Sequence, residues 1–166
     1  MKEIQTGQIR IFTFKEGLLS SVAHDLELAL TDFSVQFNGG DVSAVFNLLS
    51  ISVLGAVVDG RLSPNTLSKS DRQKIERTMN REVLYTARHP KAELSGELRG
   101  GTFRGTLRLN GQTASVDGPV GTENARASGY VDMKPSQWGI KPYSALFGAL
   151  RLQDRVRVEF WMDLPL

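Results

Sequence analysis

The sequence of 166 residues contains no cysteine and only two histidines. The absence of cysteine excludes disulfides, thiolate nucleophiles and every sulfur-ligated zinc or iron site. Closely spaced carboxylates are also missing, so the sequence gives a metal centre little support. We therefore expect a protein that carries no metal and no cofactor.

Long hydrophobic runs and an excess of one charge are missing as well. No segment approaches the roughly 20 uninterrupted apolar residues that a membrane-spanning helix requires. The first ten residues alternate polar and apolar side chains, where an export signal has a basic start and an apolar run, so we expect a cytoplasmic location. The 20 Lys and Arg are balanced by 18 Asp and Glu, which favours no nucleic-acid partner and leaves transient membrane contact open.

What remains is the composition of an ordinary globular protein, with 40% hydrophobic and 23% charged residues. The chain is long enough to bury one core and shows neither internal repeats nor a low-complexity linker. We predict a single domain over residues 1–166.

Alternation of apolar and polar residues is the clearest pattern, and it predicts antiparallel strands that each cover a core with one face. Segments 91–99 and 102–109 form a predicted hairpin closed by Gly100 and Gly101. The other predicted strands cover residues 5–14, 22–37, 42–54, 113–120, 124–134 and 155–162.

Two of the N-terminal strands are irregular. In segment 22–37 the apolar residues change from even positions such as Leu28 to odd positions such as Phe33, which requires a bulge or bend near Thr31–Asp32. Segment 42–54 is apolar on both faces. This fits either a strand that is covered on its outside or a strand at a subunit contact.

One segment, near residues 70–85, is predicted to be helical. Ser70 is the expected N-cap, and Ile75, Met79 and Val83 form a narrow apolar stripe that suits a surface helix. An all-β, mainly antiparallel chain with about eight strands must hide its sheet edges, and closure into a barrel achieves this. A β-sandwich is the alternative.

The inward face of the predicted barrel contains small residues at Gly96, Gly105, Gly118, Ala125, Ala127 and Gly129. Small side chains inside an eight-stranded barrel leave room for one ligand. Alternatively, the glycines allow coiled strands to bend. The irregular apolar segment 135–150, which interrupts two strands, is similarly either a lid at a pocket mouth or a plug at one end of the barrel.

Four motifs follow one another along the chain: Ser20–His24 leading to Thr31–Ser34, the helix followed by Tyr85–Pro90, Gly105–Gly111, and Gln137–Ile140. Their order resembles that of the YceI-like family of polyisoprenoid-binding, lipocalin-like proteins. The resemblance spans nearly the whole chain. It implies an eight-stranded, lipocalin-like extended barrel that encloses an isoprenoid chain or a similar amphiphile, often as a homodimer.

We therefore expect a non-catalytic carrier or sensor that binds an elongated lipid of isoprenoid or fatty-acyl type inside the barrel. The alternative is a solid barrel that acts through a dimer or partner surface. The candidate ligand contacts are Phe12, Phe14, His24, Leu26, Leu28, Phe33, Phe103, Leu107, Val131, Trp138, Phe147, Val158 and Phe160.

An enzymatic hypothesis has to start from His24. Adjacent residues of a strand point to opposite faces, so His24 and Asp25 do not easily act on one substrate. His24 has three interpretations: a structural hydrogen bond, contact with a ligand head group, or acid–base catalysis in a lipid-modifying enzyme. The structural interpretation is favoured and the catalytic one is the weakest.

Overall fold

The structure, a computed structural model, describes residues 2–4, 6–16, 24–145 and 150–165, with the backbone alone at residues 145 and 150. Its strands are β1 Lys2–Ile4, β2 Gly7–Glu16, β3 Asp25–Leu30, β4 Phe33–Asn38, β5 Asp41–Asn47, β6 Ile51–Val58, β7 Arg61–Ser63, β8 Lys91–Arg99, β9 Thr102–Leu109, β10 Gln112–Glu123, β11 Arg126–Met133, β12 Ser144–Ala145 and β13 Leu150–Asp163. Nearly all of the regular structure is β-sheet.

The strands form one curled, half-barrel sheet in the order β1-β4-β5-β8-β9-β10-β11-β13-β2-β3-β6-β7, with β12 beside β13. Every pairing between the described strands is antiparallel. Strand β10 pairs with β9 over its first part and with β11 over its last part. We call the side from β1 to β9 half A and the side from β11 to β7 half B.

The all-β class and the single inserted helix are confirmed, but the predicted count of eight strands is wrong, because twelve strands follow one another in the sheet. Two of the long segments expected from the sequence, 22–37 and 42–54, are each divided where the chain passes between the two halves, as β3 and β4 and as β5 and β6. The short strands β1, which precedes the predicted first strand, and β7 add two more. The predicted hairpin of β8 and β9 is confirmed at both of its ends.

The predicted bend at Thr31–Asp32 is confirmed, since β3 ends and β4 begins on either side of it. A second corner, the 3₁₀ turn Leu48–Ser50, divides the segment predicted as one strand with two apolar faces. Ala44 is buried before this turn at an even position, and Val53 is buried after it at an odd position. The two-faced strand was therefore a wrong prediction, because the segment forms two strands of opposite phase.

Hydrogen bonds join these two corners. The backbone N–H of Asn47 donates to the Asp32 carbonyl at 2.9 Å, and its Nδ2 donates to the Asp32 carboxylate at 2.9 Å. The Asp32 N–H in turn donates to the Ser50 hydroxyl at 3.0 Å. The two crossings between the halves are thus fixed to each other.

The helix α1 covers Lys69–Thr78 and continues as a π-helical turn over Met79–Val83. Its N-cap is Ser68 and not the predicted Ser70, because Ser68 and Asp71 form a reciprocal capping box. Hydrogen bonds from Ser68 hold the pKa of the Asp71 carboxyl below its usual value. The predicted stripe packs on the core, and Glu76 accepts a 2.9 Å hydrogen bond from Val53 N–H, so the helix covers the edge of β6.

Aromatic rings occupy the space above several inward glycines. Gly96 and Gly105 lie opposite each other on β8 and β9, and a Cβ on Gly105 would overlap the Ser95 carbonyl oxygen and lie 2.9 Å from the Phe103 ring. A Cβ on Gly129 would lie 3.1 Å from the Phe160 ring. These glycines therefore permit close packing and do not open a cavity. Ala125, also predicted inward, lies in a turn with φ 60°.

We expect Gly105→Ala to lower the free energy of unfolding by about 1–3 kcal/mol, because the added methyl group overpacks the contact between β8 and β9. The matched control is Gly121→Ala on β10, where a Cβ meets nothing within 4 Å and the change should stay within about 0.5 kcal/mol. Equilibrium unfolding in urea measures both variants. Equal stabilities would contradict the packing described here.

Candidate functional site

Inward-facing residues of β2, β11 and β13 form a continuous surface in half B. Directly paired positions place Thr13 beside Val156, and Ile11 beside Val158, while Val131 and Met133 pair with the same two valines from the other side. We call this surface the inner wall. It consists of Ile11, Thr13, Val131, Met133, Val156, Val158 and Phe160.

The inner wall stays accessible to solvent although it faces the inside of the sheet. Each of its residues is half-buried, whereas inward residues of the neighbouring strands β3 and β6, such as Leu28, Leu30 and Val53, are 4–5% exposed. A packed core leaves few gaps large enough for water. Accessible apolar surface on the concave side of a sheet is instead typical of a small-molecule site.

Three of the predicted contact residues, Val131, Val158 and Phe160, lie on the inner wall. Leu26 and Leu28 belong to the buried core of the same half, and Phe103 and Leu107 to the buried core of half A. Phe33 packs against this core and is half-buried. Phe147 lies outside the described residues. The structure therefore brings a part of the predicted set together at one accessible surface.

Phe12 and Phe14 were predicted to face inward, and this prediction is wrong. Ile9 is buried in the core and Ile11 packs against it, so the even positions of β2 face outward. The guanidinium carbon of Arg155 lies 4.2 Å from the centre of the Phe14 ring. This cation–π contact satisfies the ring on the outer face.

Sequence reasoning missed Ile11, Thr13, Met133 and Val156 as members of the site. Met133 and Val156 share the alternation of Val131 and Val158, which was a usable signal. For β2 the signal was ambiguous, because either phase of the strand contains apolar residues. The pairing with β13 decides which phase faces inward.

Trp138 is a buried residue of the hydrophobic core. The 3₁₀ turn Pro135–Trp138 carries it, its side chain is fully buried, and its indole Nε1 donates to the Leu107 carbonyl at 2.8 Å. The N–H and the hydroxyl of Ser136 both donate to the carboxylate of Asp154, which anchors the turn to β13. This favours the plug interpretation for residues 135–140.

Asp25 is also part of the framework, because its carboxylate accepts a hydrogen bond from Lys15 N–H at 2.7 Å. His24 precedes β3 and is half-buried. Over the described ranges, no cluster of three or more His, Asp or Glu side chains is arranged to hold a metal ion. In the same part of the chain no helix is long and apolar enough to cross a membrane.

The outer surface differs from the inner wall in chemistry. On half B, Arg126 lies 3.9 Å above the Trp161 ring and forms a 2.8 Å ion pair with Asp163. On half A, an open depression of about 430 Å³ is lined by a mixture of hydroxyl, charged and apolar side chains, including Ser43, Arg108 and Val45. Its lining is thus chemically mixed, whereas the inner wall is apolar apart from Thr13.

We expect the anchoring of Trp138 to weaken in acid. The hydrogen bonds from Ser136 hold the pKa of Asp154 below its usual value, so its stabilising effect is present at neutral pH and is lost as the pH falls below about 4. Asp154→Asn should remove this pH dependence. Quenching of Trp138 fluorescence, recorded against pH in a Trp161→Phe background, measures how firmly the turn is anchored. The control is Asp117→Asn, at an exposed position. A pH profile that is the same with and without Asp154→Asn would contradict the proposed anchor.

Comparisons with known proteins agree with this architecture. The model of the YceI-like domain matches residues 5–164. BcnA of Burkholderia cenocepacia has a similar structure, with a TM-score of 0.60, 14% identity and coverage of 94% of either chain. A polyisoprenoid-binding domain from Saccharophagus degradans, implicated in plant cell wall breakdown, gives a TM-score of 0.61 at 13% identity, with 98% of this chain and 96% of that chain covered. No curated protein matches significantly. The chain belongs to the YceI-like family.

Proposed function

We propose that this protein binds the apolar chain of an elongated lipid, of isoprenoid or fatty-acyl type, along the inner wall and acts as a carrier or sensor without catalysis. The observation that carries this proposal is the accessible apolar surface on the inside of the sheet. Membership of the YceI-like family supports it. The Saccharophagus degradans relative, which has the same fold, is described as polyisoprenoid-binding.

The dimensions of the inner wall suit a chain of moderate length. From Val156 to Phe160 the strand β13 rises by roughly 13 Å, at about 3.3 Å per residue. Burial of an apolar chain contributes about 0.8 kcal/mol per methylene group. Ten buried methylenes would therefore contribute about 8 kcal/mol before the entropic cost of association is subtracted.

The chemistry of the wall favours binding over catalysis. None of the residues that define it has an ionisable side chain, and catalysis by proton transfer requires such a group within hydrogen-bonding reach of the substrate. Asp25, the neighbour of His24, is already bonded to the backbone of Lys15. The enzymatic hypothesis therefore gains no partner residue for His24 from this geometry.

The alternative of a solid interaction module depended on a two-faced strand over residues 42–54. That segment forms β5 and β6, each with one buried face, while Val45 and Leu49 stay exposed, so the interaction module stays a prediction from the sequence. The homodimer and the cytoplasmic location stay predictions from the sequence.

Native mass spectrometry of the purified protein, before and after organic extraction, tests the proposed function. We expect an added mass that leaves with the organic phase and returns when isoprenoid or fatty-acyl chains are added. A protein that is unliganded and that also refuses both classes of chain would overturn the proposal.

We expect Val158→Phe to fill the inner wall and to weaken lipid binding at least tenfold while the free energy of unfolding changes by less than about 1 kcal/mol. Val158 is half-buried on the inside of the sheet, so a larger ring there would extend into the volume that the proposed ligand occupies. The matched control is Val45→Phe on β5, because Val45 is 40% exposed on the outer face and should not affect binding. Titration with a fluorescent fatty acid measures the affinity, and urea unfolding measures the stability.

The same pair of variants separates a binding site from a packed core. In a packed core, Val158→Phe would cost about 1–3 kcal/mol through overpacking. A variant that is destabilised by this amount, or that binds lipid as well as the wild type, would contradict the placement of the ligand on the wall.

A further inference from the structure

Positive charge is concentrated in residues 69–91, which comprise the helix α1, its π-helical turn and the connection to the first residue of β8. We call this stretch the basic segment. It contains seven Lys and Arg against three Asp and Glu, whereas the rest of the chain contains 13 against 15. The basic segment thus has a net charge of +4 in a chain whose total is +2. The near-neutral total conceals a strongly polarised surface.

Two of the three acidic side chains in the basic segment are already engaged by the fold. Asp71 belongs to the capping box of α1 and lies near Lys74, while Glu76 accepts its hydrogen bond from a backbone N–H of β6. By contrast, no described carboxylate lies within ion-pair distance of Arg77 or Arg81. These two guanidinium groups are therefore available to an anionic partner.

The available cations share the side of the helix that is turned away from the sheet. Lys74, Arg77 and Arg81 are exposed and follow one another at helical spacing, opposite the apolar stripe that packs on the core. Together with Thr78 and Glu82 they line an open depression of about 320 Å³. Three positive charges against one negative charge around an open surface suit an anionic group that stays in contact with water.

An exposed tyrosine follows these cations in the chain. Tyr85 is 48% exposed, and its φ of 49° is a left-handed conformation that is unfavourable for a residue with a side chain. Its carbonyl accepts hydrogen bonds from the backbone N–H groups of Arg88 and His89 at 3.0 Å, which fixes the turn. Glycine or asparagine would form the same turn with less strain. The turn itself therefore gives no reason for an aromatic ring at this position.

A leucine is exposed at the corner that is bonded to the end of the basic segment. The Leu48 N–H donates to the Pro90 carbonyl at 2.9 Å, and the next residue, Leu49, is 60% exposed. Among the described residues it is the most exposed large hydrophobic side chain. Apolar side chains next to cations are typical of proteins that bind an anionic bilayer, because the apolar groups enter the interface while the cations lie at the head groups.

We propose that the basic segment, together with Leu49, is a docking surface for a bilayer that contains anionic phospholipids. A nucleic acid fits less well, because binding to single strands uses several stacking rings beside the cations, and Tyr85 is the only Phe, Tyr or Trp of the basic segment. An exposed leucine also gains nothing from a phosphate backbone. This inference goes beyond the proposed function, since docking requires no ligand on the inner wall.

Co-sedimentation with phosphatidylcholine vesicles that contain about 30% phosphatidylserine tests the docking surface, with vesicles of phosphatidylcholine alone as the reference. We expect binding to the anionic vesicles only. Arg77→Gln with Arg81→Gln should weaken it about tenfold or more, since each cation near such a surface contributes about fivefold. The matched control is Arg104→Gln with Arg108→Gln on β9, at two exposed positions. It changes the net charge equally and should keep the wild-type affinity.

A second variant tests the apolar part of the docking surface. Tyr85→Asn combined with Leu49→Ser preserves the turn, because asparagine tolerates the left-handed conformation. We expect it to weaken vesicle binding about fivefold, to the same extent at low and at high salt. The effect of the Arg77 and Arg81 substitutions should instead shrink at high salt, because salt screens exposed charges.

Several outcomes would overturn the docking surface. They are failure of the wild type to bind the anionic vesicles, equal binding to the neutral vesicles, and equal weakening by the control pair. Tighter binding to polyuridine than to the vesicles, lost in Arg77→Gln with Arg81→Gln, would assign the basic segment to nucleic acid and overturn it as well. Val158→Phe should bind vesicles like the wild type. Loss of lipid uptake with vesicle binding retained would therefore count against the proposed function alone.

Discussion

The hydrogen bonds that link Asp32, Asn47 and Ser50 fix the place where two strands pass from one half of the sheet to the other. Side chains of a strand alternate strictly between its two faces, so a strand that continues around a corner must change phase to keep its apolar residues inside. Both corners make this change. Their mutual bonding allows one curled sheet to have a continuous apolar interior in both halves.

The alternation of the sequence was sufficient for the class of fold and for most of the strands. The hairpin of β8 and β9 followed directly from it, because each of these strands has one charged and one apolar phase. The bend at Thr31–Asp32 followed because the apolar phase changes there. The number of strands did not follow. The turn at Leu48–Ser50 contains neither glycine nor proline. Besides local hydrogen bonds with Asn47, it is held by bonds to Asp32 and to the Pro90 carbonyl, which are distant in sequence.

Much less of the site was predictable, for a related physical reason. The two phases of β2 contain Ile9 and Ile11 on one side and Phe12 and Phe14 on the other, so hydrophobicity does not choose between them. The phenylalanines were predicted as ligand contacts, but the guanidinium of Arg155 gives Phe14 a stable environment on the outer face. Such a contact between β2 and β13 depends on a pairing that spans nearly the entire chain.

The inward glycines show how aromatic rings pack closely against the inside of both halves. On half A the Phe103 ring occupies the space above Gly96 and Gly105, and on half B the Phe160 ring does the same at Gly129. Rings placed above glycines fill the positions where a small side chain would otherwise leave room. The lipid of the proposed function would therefore lie against the branched aliphatic side chains of the inner wall and not in a space above the glycines.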